Sequence, residues 1–184
     1  MKLLDSNIIT LYHGTTHDFT EIDVGCGKPF KDFGQGFYLT AARDHATNLA
    51  WRNRRIEENR LDVSGDRRKL SVYLYTYEFN LQGADTLNVK RFDTANREWL
   101  KFVVANRASR TRQHNYDIVI GPTANDDTRT SIRAVTSAAN GAILSDTALN
   151  LLLELLEPDN LPTQYFFGTG EAVKLLDFKG RIAL

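Results

Sequence analysis

A histidine, a glycine and a threonine stand side by side at His13-Gly14-Thr15, and a tyrosine closes Gly34-Gln35-Gly36-Phe37-Tyr38. One imidazole, one bare backbone and one hydroxyl together suit gripping a ribose hydroxyl and a carboxamide better than packing a core. Glycines at 34 and 36 let the backbone approach a ligand or another strand closely. A ring beside such a backbone can stack on a flat heterocycle. The two groups read as the nicotinamide end of an NAD site. Each alone has a plainer reading: a lone strand-end histidine is usually a structural hydrogen-bonder, and a strand tyrosine is usually packing.

The elements that must position these residues follow from the pattern around them. Ile8–His13 is short and apolar and predicts a first strand. Residues 16–31 carry Gly25, Gly27 and Pro29 with scattered phenylalanines, a loop or short broken helix. Phe37–Leu39 predicts a second strand, with Thr40 placed to cap a helix over Ala42–Asn59. The far end of that helix, from Trp51 to Arg60, is densely charged and reads as a solvated helix end before it reads as a binding patch. Leu70–Phe79 alternates with period two, placing Tyr73, Tyr75, Tyr77 and Phe79 on one face, which is read as core.

Further along, Thr86–Phe92 predicts a strand, and Asp93 or Thr94 a cap for a helix to about Asn106. Arg107–His114 is the most basic loop. Tyr116–Gly121 predicts a strand, and Asn125–Thr128 a helix cap, since no EF-hand spacing accompanies its oxygen-bearing side chains. Asp146–Glu157 is leucine-rich and stopped by Pro158, hence core or a partner-binding ridge. Thr163–Phe167 is a strand, and a helix after Thr169 leads to a last extended piece near Phe178–Leu184. There is no repeat and no low-complexity segment. Mixed order with strands outnumbering helices predicts an α+β domain with a split, mainly antiparallel sheet flanked by helices. At 184 residues the chain is most simply one domain, residues 1–184.

Composition narrows the setting. Lys+Arg and Asp+Glu balance at 23 each, so global charge gives no pull toward nucleic acid or membrane. A lone cysteine, Cys26, excludes an intrachain disulfide and a multi-cysteine metal site. No apolar run approaches a membrane span, and the first residues show no signal peptide. A cytoplasmic protein without metal is expected, although effectors delivered to another cell can lack a recognisable signal.

The same residues carry a resemblance. The His13-Gly14-Thr15 start, the Gly-Gln-Gly-Phe-Tyr-Leu-Thr strand and a polar residue on the strand before Gly168-Thr169-Gly170 resemble the ADP-ribosyltransferase superfamily. The likeness is to the diphtheria-toxin and poly-ADP-ribose-polymerase type, and beyond it to a compact bacterial subfamily found beside toxin–antitoxin systems. It runs from about Leu11 to Phe178 and is loose in the middle. It implies a split-sheet transferase fold, NAD as co-substrate, and His13, Tyr38 and Gln164 as the catalytic set. His13 would bind adenosine-ribose hydroxyls, Gly14 the carboxamide, and Tyr38 would stack on nicotinamide. Thr15, Phe37 and Trp51 complete the cofactor-binding candidates, Trp51 as a second ring.

Gln164 is the departure from that pattern, because the superfamily's usual residue there is Glu. Gln keeps a hydrogen bond but not the charge, a loss of a few kcal/mol of transition-state stabilisation. The reading is therefore a mono-ADP-ribosyltransferase acting on a macromolecular acceptor, protein or nucleic acid, as a bacterial toxin or effector with a cognate antitoxin. Glu171 is an alternative carboxylate, read more simply as a favourable acid in a helix's first turn. Arg107–His114 and the segment before Gln164 are where target recognition would sit. Two other readings stay open: a non-catalytic NAD- or ADP-ribose-binding module, and an RNA 2′-phosphotransferase, which would need a basic pocket.

Overall fold

A computed structural model describes residues 8–124, 130, 145–155 and 161–184. Among them a seven-stranded sheet forms the centre: β1 (Ile8–Thr15), β2 (Phe37–Thr40), β3 (Tyr73–Asn80), β4 (Val89–Arg91), β5 (Ile118–Pro122), β6 (Thr163–Phe167) and β7 (Leu176–Ala183). Its order is β4-β5-β6-β2-β1-β3-β7. Neighbours are antiparallel except β4 and β5. Among the described residues four α-helices accompany the sheet: α1 (Arg43–Val63), α2 (Arg97–Ala108), α3 (Asp146–Leu155) and the single turn α4 (Gly170–Val173). This is the expected α+β class.

The two halves of the sheet meet at one registered pair, Tyr12 opposite Thr40. β1 otherwise runs its whole length along β3, from Ile8↔Asn80 to Thr15↔Tyr73. β2 runs its whole length along β6, from Phe37↔Phe167 to Thr40↔Gln164. The seam between β1 and β2 is thus the weakest in the sheet, and His13-Gly14-Thr15 lies just beyond it.

Strand alternation sorts the core onto two faces. On one face Tyr38, Val119 and Phe166 pack with Phe33, with Trp99, Leu100 and Val103 of α2, and with Leu149 and Leu152 of α3. On the other, Leu11, Phe37, Leu39, Tyr75, Tyr77, Phe79, Ile118, Ile120 and Phe167 are covered by loop residues Phe19, Ile22 and Val24, by Leu81 and Leu87, and by α4. The aromatic face of β3 is therefore core, as its alternation indicates: Tyr75 and Phe79 are buried. In α3 the leucines divide, Leu149 and Leu152 facing inward while Leu151 is exposed. One side of that helix is core.

Several boundaries move for identifiable reasons. β3 starts at Tyr73, not Leu70, because the Leu70 N–H is drawn to the Glu58 carboxylate at 2.9 Å. β4 shrinks to three residues because Leu87 N–H closes a turn onto the Ala84 carbonyl. Asn96, and neither Asp93 nor Thr94, caps α2, its side chain accepting from Trp99 N–H at 3.0 Å. α1 begins after Ala42, which has no capping side chain. Thr40 instead accepts from Ala42 N–H at 3.2 Å and donates to the Thr163 carbonyl at 3.1 Å, joining β2 to β6. Thr169 caps α4 by accepting from Ala172 N–H. The cap expected over Asn125–Thr128 lies outside the described residues, as does the segment immediately before Leu161.

Candidate active site at the seam of the sheet

His13 stands on β1 just past the seam, partly buried, its ring 4.5 Å from that of Phe37 and 5.9 Å from that of Phe19. Its Nδ1 lies 2.8 Å from the Tyr38 backbone carbonyl. A carbonyl only accepts, so Nδ1 carries the hydrogen and Nε2, on the other side of the ring, carries the lone pair. Burial pushes the pKa down to about 4, so the ring is neutral at pH 7 and Nε2 is an acceptor there. The imidazole bridges the two halves of the sheet where the backbone ladder stops. It offers an incoming hydroxyl a fixed acceptor.

Gly14 serves packing. A Cβ there would overlap the Ala46 carbonyl and touch Ala50, so the missing side chain lets α1 lie directly on β1. The close approach expected at this glycine is made by a helix on one face; its backbone edge stays in the plane of the sheet. Gly36 is similar, since a Cβ would enter the ring of Phe166. Gly34 has φ +83, a conformation glycine adopts without strain. Thr15 accepts from His17 N–H at 3.1 Å and shares the His13 face of the strand.

Tyr38 departs from its expected role. It follows Phe37 on the strand, so its ring points to the opposite face from His13 and meets Phe166 at 5.2 Å and Phe33 at 6.4 Å. Its hydroxyl donates to the Gly34 carbonyl at 2.6 Å and accepts from Phe33 N–H at 3.0 Å. Burial and the neighbouring Asp32 carboxylate hold the phenol well above its ordinary pKa. What reaches His13 is the Tyr38 backbone. Stacking of a nicotinamide on the Tyr38 ring would require Phe33 to leave.

Gln164 shares the Tyr38 face, opposite Thr40 in the register and buried. Its Nε2 donates to Asp32 Oδ2 at 2.8 Å and to the Pro122 carbonyl at 3.1 Å. Asp32, also buried, accepts from Ala124 N–H at 3.0 Å on the same oxygen and from Arg107 Nε at 2.6 Å on Oδ1. Arg107 Nη2 completes the ion pair. Asp32 is the carboxylate beside Gln164, a loop residue that belongs to none of the sequence motifs. The available signal was an acid two residues before Gly34 together with an arginine just past the end of a distant predicted helix. Nothing local links them.

The basic loop is turned inward. Arg107 holds Asp32, Arg112 donates to the Gly168 carbonyl at 2.8 Å and lies over the Phe166 ring, and His114 Nε2 donates to the Phe33 carbonyl at 2.8 Å. With Nε2 protonated, His114 Nδ1 is free to accept from Tyr116 N–H at 3.1 Å, a consistent tautomer. These groups clamp residues 32–34 over Tyr38 and Gln164, so the expectation of target recognition by this loop is corrected for Arg107, Arg112 and His114.

Three other side chains, those of Trp51, Glu171 and Cys26, are engaged elsewhere. Trp51 is 41% exposed on α1 under the Arg54 guanidinium, 5.2 Å from the ring centre, in a surface groove with Glu58 and Lys69. It has no ring contact with His13 or Tyr38, and Phe37 and Phe19 are the aromatics that His13 meets. Glu171 is exposed and paired with Lys174 at 2.6 Å, an acid in the first turn of α4. Cys26 is exposed, and its thiol donates to Asp23, whose carboxylate pushes its pKa up, the opposite of what a nucleophile needs. Among the described residues no cluster of three or more His, Cys, Asp or Glu could hold a metal ion, and no helix is long and apolar enough to cross a membrane.

No curated protein and no solved structure matches the chain. A family model does, over residues 9–178, which takes in nearly all of β1, the seam, the Asp32–Gln164 network and the first residues of β7. The chain belongs to the family described as "Protein of unknown function (DUF3990)".

Proposed function

We propose that this protein is an NAD-dependent mono-ADP-ribosyltransferase acting on a macromolecular acceptor. The observation that carries the proposal is the His13–Tyr38 hydrogen bond. It fixes a neutral imidazole, lone pair on Nε2, where β1 and β2 part. The residues present fit the ribose end of a dinucleotide: an acceptor at His13, a hydroxyl at Thr15 on the same face, and the backbone edge of Gly14. Bound NAD would supply the ADP-ribosyl group, with nicotinamide as leaving group. His13 orients the dinucleotide through a ribose hydroxyl, and Gln164, buried on the opposite face of the sheet, would accept a hydrogen bond through Oε1 only across the parting of β1 and β2. The amide brings no charge, which favours transfer of single units over chain building. A role as a bacterial toxin or effector restrained by a cognate antitoxin belongs to the same reading.

A non-catalytic NAD- or ADP-ribose-binding module is the second reading. Two observations favour it: the amide at position 164 and the enclosure of the Tyr38 ring by Phe33 and Phe166. Incubation of the purified protein with NAD labelled in the adenosine half and a cell lysate separates the two. Label on protein or nucleic acid, lost in His13→Ala, supports the transferase. Calorimetric NAD binding without nicotinamide release supports the module. Neither binding nor release overturns both.

A further inference from the structure

We propose that Asp32 and Arg107 form a positioning pair that fixes the amide of Gln164, so that Gln164 offers its oxygen, and not its nitrogen, to a substrate hydroxyl. This rests on the transferase reading for its functional consequence, but the positioning itself is a property of the folded chain.

A glutamine in place of a carboxylate carries an ambiguity that a glutamate does not. Its two ends are nearly equal in size, one only accepts and the other only donates. An unanchored amide at position 164 would present either end. Here both Nε2 hydrogens have fixed acceptors, Asp32 Oδ2 at 2.8 Å and the Pro122 carbonyl at 3.1 Å. The flipped amide would set its oxygen against two acceptors, an arrangement buried groups do not tolerate. The orientation is therefore decided: both Nε2 hydrogens are engaged, and Oε1 is the accepting end of the amide.

Asp32 itself is not positioned to act on substrate. Its Oδ1 is occupied by Arg107 Nε and Nη2, and its Oδ2 by Ala124 N–H and Gln164 Nε2. Two donors on each oxygen fill the acceptor positions of a carboxylate. It has no position left for a proton or hydroxyl from a substrate, which makes it a positioning residue. Arg107 matters for the same reason: removing one partner of a buried pair leaves the other charge uncompensated. The pair joins three distant parts of the chain, the loop before β2, the end of α2 and strand β6.

The test uses the full chain with two readouts. The first is nicotinamide release from NAD in the presence of lysate. Asp32→Asn places amide hydrogens against Nε2, so Gln164 turns over and kcat falls by about tenfold or more, with KM little changed. Combining Asp32→Asn with Gln164→Glu restores an acceptor at 164 and supplies it with a donor from 32, so the double variant recovers most of the lost kcat. A merely structural Asp32 gives no such recovery, and an unrestored double variant overturns the proposal. The second readout is the side-chain amide resonance of Gln164 by nuclear magnetic resonance. Both hydrogens should exchange slowly in the native protein and rapidly in Asp32→Asn. Arg107→Lys, which keeps the carboxylate and loosens its seat, serves if Asp32→Asn does not fold. Unchanged exchange in the folded variants overturns the proposal. Native protein that releases no nicotinamide yet protects both amide hydrogens overturns the transferase reading and leaves the positioning pair standing.

Discussion

The imidazole of His13 and the backbone carbonyl of Tyr38, 2.8 Å apart, close the gap between two half-sheets that share one registered backbone pair, Tyr12 and Thr40. A side chain takes over where the ladder ends. The same contact selects the tautomer of the histidine and ties the stability of the seam to its chemistry.

Substitution of His13 should separate these two roles. His13→Gln can still donate to the Tyr38 carbonyl, so it should stay within about 1 kcal/mol of native stability. His13→Ala removes the donor and leaves the carbonyl without it, at about 1–3 kcal/mol. Both should lose NAD binding if Nε2 is the ribose acceptor. Denaturant unfolding together with calorimetry checks the pair, and tight NAD binding by both variants would remove His13 from the site.

The depressed pKa of His13 predicts a pH dependence with a definite sign. The folded-state value of about 4 lies below the ordinary 6.5, so the unfolded chain binds the proton more readily. Stability is fully present above pH 6.5 and is lost as pH falls through 6.5 toward 4. The full loss for this one group is on the order of 3 kcal/mol. His45 and His114 are shifted in the same direction by burial and add to the slope. Unfolding curves at pH 7 and pH 4.5 should show a smaller difference in His13→Gln than in the native protein.

Gly14 should be intolerant of any side chain. Gly14→Ala drives a methyl into the Ala46 carbonyl and the Ala50 methyl, so α1 must lift from β1. A cost of about 1–3 kcal/mol is expected in thermal or denaturant unfolding. A neutral Gly14→Ala would show that the helix can shift without penalty.

Tyr38→Phe tests the enclosed position of that ring. The hydroxyl holds Gly34 and Phe33 in place, so its removal should destabilise the protein by about 1–2 kcal/mol and raise hydrogen exchange across residues 31–36. A tyrosine whose ring served only to stack on a ligand would tolerate the change.

Gln164→Glu, which restores the superfamily's usual acid, is expected to harm this protein. The new carboxylate would sit against Asp32, 2.8 Å from the present Nε2, and two carboxylates so close share a proton. The pKa of the introduced acid is then raised in the folded state. Stability is retained below the unfolded carboxylate value and lost as pH rises through the raised one. Thermal unfolding between pH 4 and pH 8 should show the variant falling away from the native protein as pH increases.

The sequence alone determined the local features of the fold. Alternation in Tyr73–Phe79 marked an aromatic core face, Thr163–Phe167 marked a strand, and Thr169 marked the start of a short helix, because each signal lies within a few consecutive residues. It also drew attention to His13 and Gln164, since a histidine at a strand end and a polar residue inside an apolar strand both need an explanation. What it could not reach were relationships between distant residues. That Tyr38 gives His13 its backbone while its ring goes to the other face depends on strand pairing and pleat. That Asp32, Arg107 and Gln164 form one network depends on a loop, a helix end and a strand meeting from positions up to 132 residues apart. Charge in a sequence shows no direction, so Arg107, Arg112 and His114 read as an outward-facing basic loop available for target recognition. Tertiary packing turned them inward, because the buried carboxylate and the carbonyls over Tyr38 and Gln164 required donors.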